Sequence, residues 1–230
     1  KNNARYVVVA HHADDQAETV LMKLTRGSTV EGIAGMKPIR PFSKGYLIRP
    51  FLTVDKKVLY DYALIHQIPF KEDITNQSLE YTRNRFRNEI IPLFKQENPK
   101  FNQKIQEFTR TLQEQQEVIL MLAYQWMEQE LLELHNGWSW NKERYINQPV
   151  GLQKVILVEL SKKLGGLLSA KNVLDIQEAI ISDTSQMSLN LPKGWIFQKR
   201  YHQLLIIKEE NIEIPYQEIR VEGVQLEDMV

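Results

Sequence analysis

A chain of 230 residues and 27.0 kDa exceeds one minimal core and suits two domains, while 43% apolar and 25% charged residues exclude a disordered or fibrous polypeptide. The 29 basic and 29 acidic residues cancel, which excludes a global positive field and confines any nucleic-acid site to a local patch. The absence of cysteine excludes a disulfide scaffold, an iron–sulfur cluster and a thiolate zinc site in this segment, and no apolar run approaches the roughly 20 residues of a membrane span, so a cytoplasmic protein is expected.

Tyr6 to Ala10 is a short apolar run rich in β-branched residues and reads as a buried parallel strand. Such a strand needs neighbours, and none precedes it, so the chain is expected to be a fragment of a longer protein. After His11-His12-Ala13, Asp14 or Asp15 can cap a helix with Ala17, Val20, Leu21 and Leu24 on its apolar face, stopped by Gly27. Asp15 and Glu18 stand as in an acidic capping box and favour the positive end of the helix dipole. A glycine-punctuated, loop-rich segment follows (Gly27, Gly32, Gly35), then the proline-bracketed Arg40-Pro41-Phe42 and Ile48-Arg49-Pro50-Phe51.

Thr53 is placed as the N-cap of the next helix, whose apolar face is Val58, Leu59, Tyr62 and Ala63. Residues 68–76 return as a turn, and from Tyr81 a basic helix carries Arg83, Arg85 and Arg87, with Pro92 forcing a break or kink. Asn98-Pro99 opens one long helix with Phe101, Ile105, Phe108, Leu112, Ile119, Leu122 and Trp126 in a four-three alternation that serves an internal core or a homodimer seam. Helices over 151–164 and 171–182 precede an alternating strand at Met187 to Leu191, a turn at Pro192-Lys193-Gly194 and an answering strand or strands from Trp195 to Lys208. Residues 1–96 thus read as one domain, 97–212 as a smaller, mostly helical domain with a β-hairpin, and 213–230 as a linker.

The densest chemical signal is Ala10-His11-His12-Ala13-Asp14-Asp15-Gln16-Ala17-Glu18-Thr19, at the carboxyl end of a strand, where open α/β sheets bind ligands. Carboxylates there can hold Mg²⁺ or a substrate ammonium, and an imidazole can donate to a phosphate or shuttle a proton. The competing reading is that an aspartate only caps the helix and the histidines pack against the loop. Arg83, Asn84 and Arg87 share a helix at offsets that turn them one way, and guanidinium groups pair with phosphate or carboxylate. A merely solvated basic face is less fitting, because Asn84 and Phe86 interrupt the charge run. Trp126, Trp138, Trp140 and Trp195 read as core, and His135 and His202 as isolated histidines, so none receives a role.

The run His-His-x-Asp-Asp-Gln-x-Glu-Thr after a strand resembles the second signature of the tRNA(Ile)-lysidine synthases, in the PP-loop (N-type ATP pyrophosphatase) superfamily. Leu24-Thr25-Arg26-Gly27 and Gly32-Ile33-Ala34-Gly35-Met36 look like that family's glycine-bearing loop, and Arg49-Pro50-Phe51-Leu52 resembles its Arg-Pro element. Glu72-Asp73-x-x-Asn76 with Arg83-Asn84-x-x-Arg87 is similar to its third signature. These matches span about residues 6–96; beyond them the likeness rests mainly on Leu189-Asn190-Leu191-Pro192-Lys193-Gly194. The superfamily's Ser-Gly-Gly-x-Asp-Ser loop, which cradles ATP phosphates, is nowhere in the 230 residues, so this segment alone is not expected to hydrolyse ATP.

The resemblance implies an α/β fold: part of a doubly wound parallel-sheet ATP pyrophosphatase domain (adenine nucleotide alpha hydrolase-like), followed by a tRNA-binding middle domain. It implies a carbon–nitrogen ligase that uses ATP and Mg²⁺ to adenylate O2 of the wobble cytidine of a CAU-anticodon tRNA(Ile), after which the L-lysine ε-amine attacks C2 and AMP leaves. Carried over residue by residue, Asp15 with Asp14 would bind the lysine ammonium or Mg²⁺, and His12 would contact phosphate or transfer a proton. Glu18 and Thr19 would support them, and Arg26, Gly27, Arg49, Arg83, Asn84 and Arg87 would meet lysine or tRNA. The rivals are a cytidine thiolase of the same superfamily, which typically carries the cysteines this segment lacks, and a non-catalytic RNA-binding module. A metal-dependent phosphohydrolase built on His11, His12, Asp14 and Asp15 is a third, weakened because adjacent histidines on a strand point apart.

Overall fold

The computed structural model describes residues 5–71, 81–166 and 168–208. The sequence readings at Glu72, Asp73 and Asn76, and the linker at 213–230, lie outside these residues. The chain divides into two compact units, 1–120 and 121–230, the division falling inside the long helix.

In the first unit, β1 (Tyr6–Val8) pairs in parallel with β3 (Gly45–Ile48), and β2 (Ile39–Phe42) pairs antiparallel with β3, in the order β1-β3-β2. The expected strand is present and parallel, but it is not buried: Tyr6 and Val8 are 60% and 63% exposed, because β3 is its one neighbour among the described residues. Between β1 and β3 the chain forms α1 (Ala13–Arg26) and the single turn α2 (Val30–Ile33). Ala13, Ala17 and Val20 are fully buried and recur at helical spacing, so the apolar stripe seats α1.

Helix α3 (Lys56–Ile65) starts after Asp55 rather than Thr53. Asp55 has the extended backbone of a cap, but its carboxylate accepts from Asn102 Nδ2 at 2.6 Å instead of capping its own helix. The basic helix is short: α4 (Thr82–Arg85) runs into a π-helical turn at Phe86–Ile90, closed by Ile91 N–H to the Phe86 carbonyl, before α5 (Ile91–Glu97). Pro92 lies in the first turn of α5, where its missing N–H costs little, so the break forecast from it takes the form of one widened turn. Asn98 accepts from Lys100 N–H and opens α6 (Phe101–Glu130).

The second unit holds the end of α6, then β4 (Leu132–Leu134), β5 (Gly137–Asn141), α7 (Lys142–Ile146), α8 (Val150–Lys163), α9 (Ala170–Ile181), β6 (Gln186–Leu191), β7 (Trp195–Arg200) and β8 (Gln203–Lys208). The expected hairpin is a five-stranded antiparallel sheet, β4-β5-β8-β7-β6. Strands β4 and β5 escaped the sequence reading because Gly137, Ser139 and Asn141 dilute an apolar alternation to the two tryptophans 138 and 140. Its core face carries Trp140, Phe197, Leu204 and Ile206, all essentially inaccessible. On the same face Lys199, 1% exposed, donates from Nζ to the carbonyls of Ala179 at 3.0 Å, Ile180 at 3.1 Å and Ser182 at 2.6 Å. A buried ammonium thereby satisfies the orphan carbonyls at the end of α9 and complements its dipole.

All four tryptophans lie in the second unit, so their fluorescence reports its unfolding alone. Lys199→Met is expected to lower that unit's stability in urea by about 3 kcal/mol, since several buried carbonyls lose their donor together.

Candidate functional site

The site is built on the start of α1. His12 has extended backbone (φ −123°, ψ −179°) and is the N-cap, the place expected for Asp14 or Asp15. Its Nδ1 accepts from Asp15 N–H at 3.4 Å while Asp15 Oδ2 accepts from His12 N–H at 3.0 Å, which closes a capping box. An imidazole nitrogen does here what a short side-chain oxygen usually does, a substitution that cap preferences do not forecast. Thr19 spends its hydroxyl on the Asp15 carbonyl of its own helix at 2.7 Å.

Asp14 and Asp15 are adjacent on the helix and diverge. Asp14 Oδ1 takes Lys95 Nζ of α5, and Oδ2 accepts from Lys56 N–H at the start of α3 at 2.9 Å. Burial alone would raise the Asp14 pKa, but the Lys95 ammonium, the Lys56 amide and Asn102 overrule it and hold it at about 2. Asp15 and Glu18 instead face α4 and the π-turn. Arg83 donates from Nε to Glu18 Oε2 at 2.6 Å and from Nη2 to Asp15 Oδ1 at 2.9 Å. Arg87 donates from Nε to Glu18 Oε1 at 2.6 Å, and from Nη2 to Glu18 Oε2 at 3.1 Å and Asp15 Oδ1 at 3.2 Å. Glu18 is 1% exposed, so its charge is tolerable only because two guanidinium groups clasp it. The Glu18 hydrogen bond in turn raises the Arg87 pKa.

Beside the cluster, His11 Nδ1 accepts from Arg49 Nε at 3.1 Å, and Arg49 Nη1 donates to the Lys37 carbonyl at 2.8 Å. Burial lowers the His11 pKa against the pull of Asp15, with Arg49 acting in the same direction as burial; because a guanidinium only donates, the hydrogen bond from Arg49 places the His11 proton on Nε2. Gln16 holds the loop after α2, accepting from Met36 N–H at 2.8 Å and donating to the Met36 carbonyl at 3.1 Å. Gly35 in that loop has φ +72°, and a Cβ there would lie 2.6 Å from the Gln16 amide.

His12, Asp14, Asp15, Glu18, Arg49, Arg83 and Arg87 therefore gather at one end of α1, and Asn84 is buried on α4. Arg26 and Gly27 close the opposite end of α1, about 16 Å along the axis from Asp15 at 1.5 Å per residue. Lys95 and Asn102 were not singled out from sequence; they lie 81 residues from Asp14 and 47 from Asp55, beyond any local pattern. The Asp14 and Asp15 carboxylates, expected to meet Mg²⁺ or an ammonium, are each shared between protein cations and backbone N–H groups, so a bound cation there has to displace Lys95 or a guanidinium. Among the described residues no three His, Cys, Asp or Glu side chains are grouped to hold a metal, which also disfavours the phosphohydrolase reading.

The sequence model of the PP-loop domain matches residues 1–94. These residues are similar to a PP-loop domain. The chain is also 34% identical over 209 residues to a tRNA(Ile)-lysidine synthase of Geobacillus kaustophilus, covering 89% of this chain and 45% of that protein. It is 32% identical over 226 residues to the tRNA(Ile)-lysidine synthase of Bacillus subtilis, covering 94% and 48%. With a bifunctional protein TilS/HprT of Listeria innocua it shares 33% over 208 residues, 89% of this chain and 32% of that one. The chain thus spans a third to a half of the curated relatives it matches. The likeness runs through both units, whereas the PP-loop match ends just before α6. No helix among the described residues is long and apolar enough to cross a membrane.

Two outcomes follow from the charge cluster of the first unit. Glu18→Gln leaves two guanidinium groups short of a counter-charge and is expected to destabilise the first unit by about 3 kcal/mol; a double-mutant cycle with Arg87→Gln should recover part of this loss. Asp14 has a folded pKa of about 2, below its unfolded value, so its contribution is complete above about pH 4 and is lost as pH falls through 2. The stability gap between wild type and Asp14→Asn, followed by denaturant titration, should be constant above about pH 4 and close below it.

Proposed function

We propose that this chain is the part of a tRNA(Ile)-lysidine synthase that binds lysine and presents it to the adenylated wobble cytidine, in an ATP-dependent reaction in the cytoplasm. The observation that carries the reading is the buried pair Asp15 and Glu18, clasped by Arg83 and Arg87, at the carboxyl end of β1 in a PP-loop domain. The chain contains no Ser-Gly-Gly-x-Asp-Ser loop, so these residues supply the lysine side of the reaction and not the phosphate grip.

Lysine is a cation with a carboxylate, and the cluster offers both charges in balance. A bound ammonium takes carboxylate oxygens of Asp15 and Glu18 that the guanidinium groups now hold, and a released guanidinium takes the lysine carboxylate or an RNA phosphate. The exchange is nearly neutral in charge, which spares the buried acids an unpaired state. The ε-amine must lose its proton before its lone pair forms the bond to C2, while the C2–O2 bond breaks and AMP leaves. His12, with Nε2 at 3.4 Å from Asp15 Oδ2, is the imidazole next to the acid pair; in this reading its Nδ1 releases the Asp15 amide and receives that proton. Asp14 acts at a distance: it ties the start of α1 to α3 and α5 and so orients Asp15. The domain limit at about residue 96, with α6 and the second unit beyond it devoted to tRNA, belongs to the same proposal, as does any homodimer.

The test is incorporation of labelled lysine into a CAU-anticodon tRNA(Ile) transcript by the protein carrying this chain, with and without ATP. ATP-dependent incorporation is expected, and Asp15→Asn should lower it by about 10²-fold or more while Arg26→Ala leaves it within about two-fold. His12→Asn retains a capping side chain and removes the imidazole; full activity in that variant would reduce His12 to a helix cap. Pyrophosphate release without incorporation would keep the PP-loop chemistry and reject lysine as the nucleophile.

A further inference from the structure

Trp138 and Trp195 break the rule of the face they occupy. Cross-strand pairing puts them on the core face of the second unit's sheet with Trp140, Phe197, Leu204 and Ile206, which are 2%, 0%, 0% and 0% exposed. Both indoles are only half-buried. They reach across β8 to stack on each other, with centroids 6.0 Å apart and planes 23° apart. Beside them opens a cavity of about 280 Å³, whose other walls include Glu133, His135, Asn136 and Lys208. Register places Lys208 opposite Trp195 and Glu133 opposite Trp138, so charge brackets the aromatic pair on its own face.

An aromatic surface half-open to solvent, with an ammonium and hydrogen-bonding groups at its rim, has the composition of a site for a planar heterocycle attached to an anion. Resting on the tRNA reading above, we infer that Trp138 and Trp195 form a stacking platform for one unpaired nucleotide of the RNA. The base lies against the indoles, Lys208 meets the phosphate, and Glu133 or Asn136 hydrogen-bonds the base edge. A membrane is a poorer match, because the rim is polar and carries both charges. The site lies wholly in the second unit, outside the residues of the PP-loop match, and is separate from the Asp15–Glu18 cluster.

The experiment measures the Kd of the CAU-anticodon tRNA(Ile) transcript, across a salt series, for the protein carrying this chain and its Trp138→Leu, Trp195→Leu, Trp195→Tyr and Lys208→Gln variants. Loss of one base stack should weaken binding about ten-fold in each Leu variant with an unchanged salt slope, and Trp195→Tyr should restore most of it. Lys208→Gln should lower the salt slope by about one phosphate contact. Leu variants that keep the wild-type denaturation midpoint and the wild-type Kd would overturn the platform. Should the Leu variants not fold, quenching of wild-type tryptophan fluorescence by the transcript decides, and its absence overturns the inference. A failure of the tRNA reading itself is visible separately, as absent binding and absent lysine incorporation in the wild type.

Discussion

The first unit is organised around the burial of the Glu18 carboxylate. A charge that is 1% exposed is tolerated only with partners of matched geometry, and Arg83 and Arg87 supply them through five hydrogen bonds to Glu18 and Asp15. Much else in the unit serves that fit. Ala13, Ala17 and Val20 seat α1 so that Glu18 faces inward, and the π-turn after Arg85 absorbs the approach to Pro92 while keeping Arg87 within reach of Glu18. A π-turn inside a helix is a common mark of a functional site, because it is less stable than the α-turn it replaces.

Adjacent aspartates have separate duties because successive helical positions differ by about 100° in direction. Asp15 and Glu18, three apart, face the arginines together, whereas Asp14 faces Lys95 and the first amide of α3. The depressed pKa of Asp14 is that of a brace with fixed cationic partners, not of a group that exchanges protons near neutrality. His11, neutral and held by Arg49, is likewise tied into the loop that follows β1.

The second unit also uses buried charge, to a different end. Lys199 joins β7 to the end of α9 where an apolar side chain would leave carbonyls unpaired, so the helix and sheet are fastened at a defined register. Glu159 on α8, 3% exposed, is held in the same manner by Tyr124 and Lys162. Such fastening leaves the sheet margin around Trp138 and Trp195 as the part of that face with surface to spare.

Local pattern was enough for β1, for helices α1, α8 and α9, for the β6 strand and for the strand-to-helix junction that carries the acidic-histidine string of the candidate site, because helical spacing, strand alternation and such a junction are properties of neighbouring residues. Resemblance to known signatures carried the rest of the functional reading. Pattern failed where polar groups are buried by distant partners. Asn102 and Thr109 on α6 are 4% and 3% exposed and face Asp55 and Gln16, whereas Phe108 and Leu122, expected on the packed face, are 46% and 42% exposed. The capping role of His12, the division of labour between Asp14 and Asp15, and the pairing of Arg83 and Arg87 with Asp15 and Glu18 were decided by tertiary structure alone. Each depends on hydrogen bonds between groups 42 to 81 residues apart or on a cap chemistry outside the usual preferences, and a charge's partner is set by what folding brings within 3 Å of it.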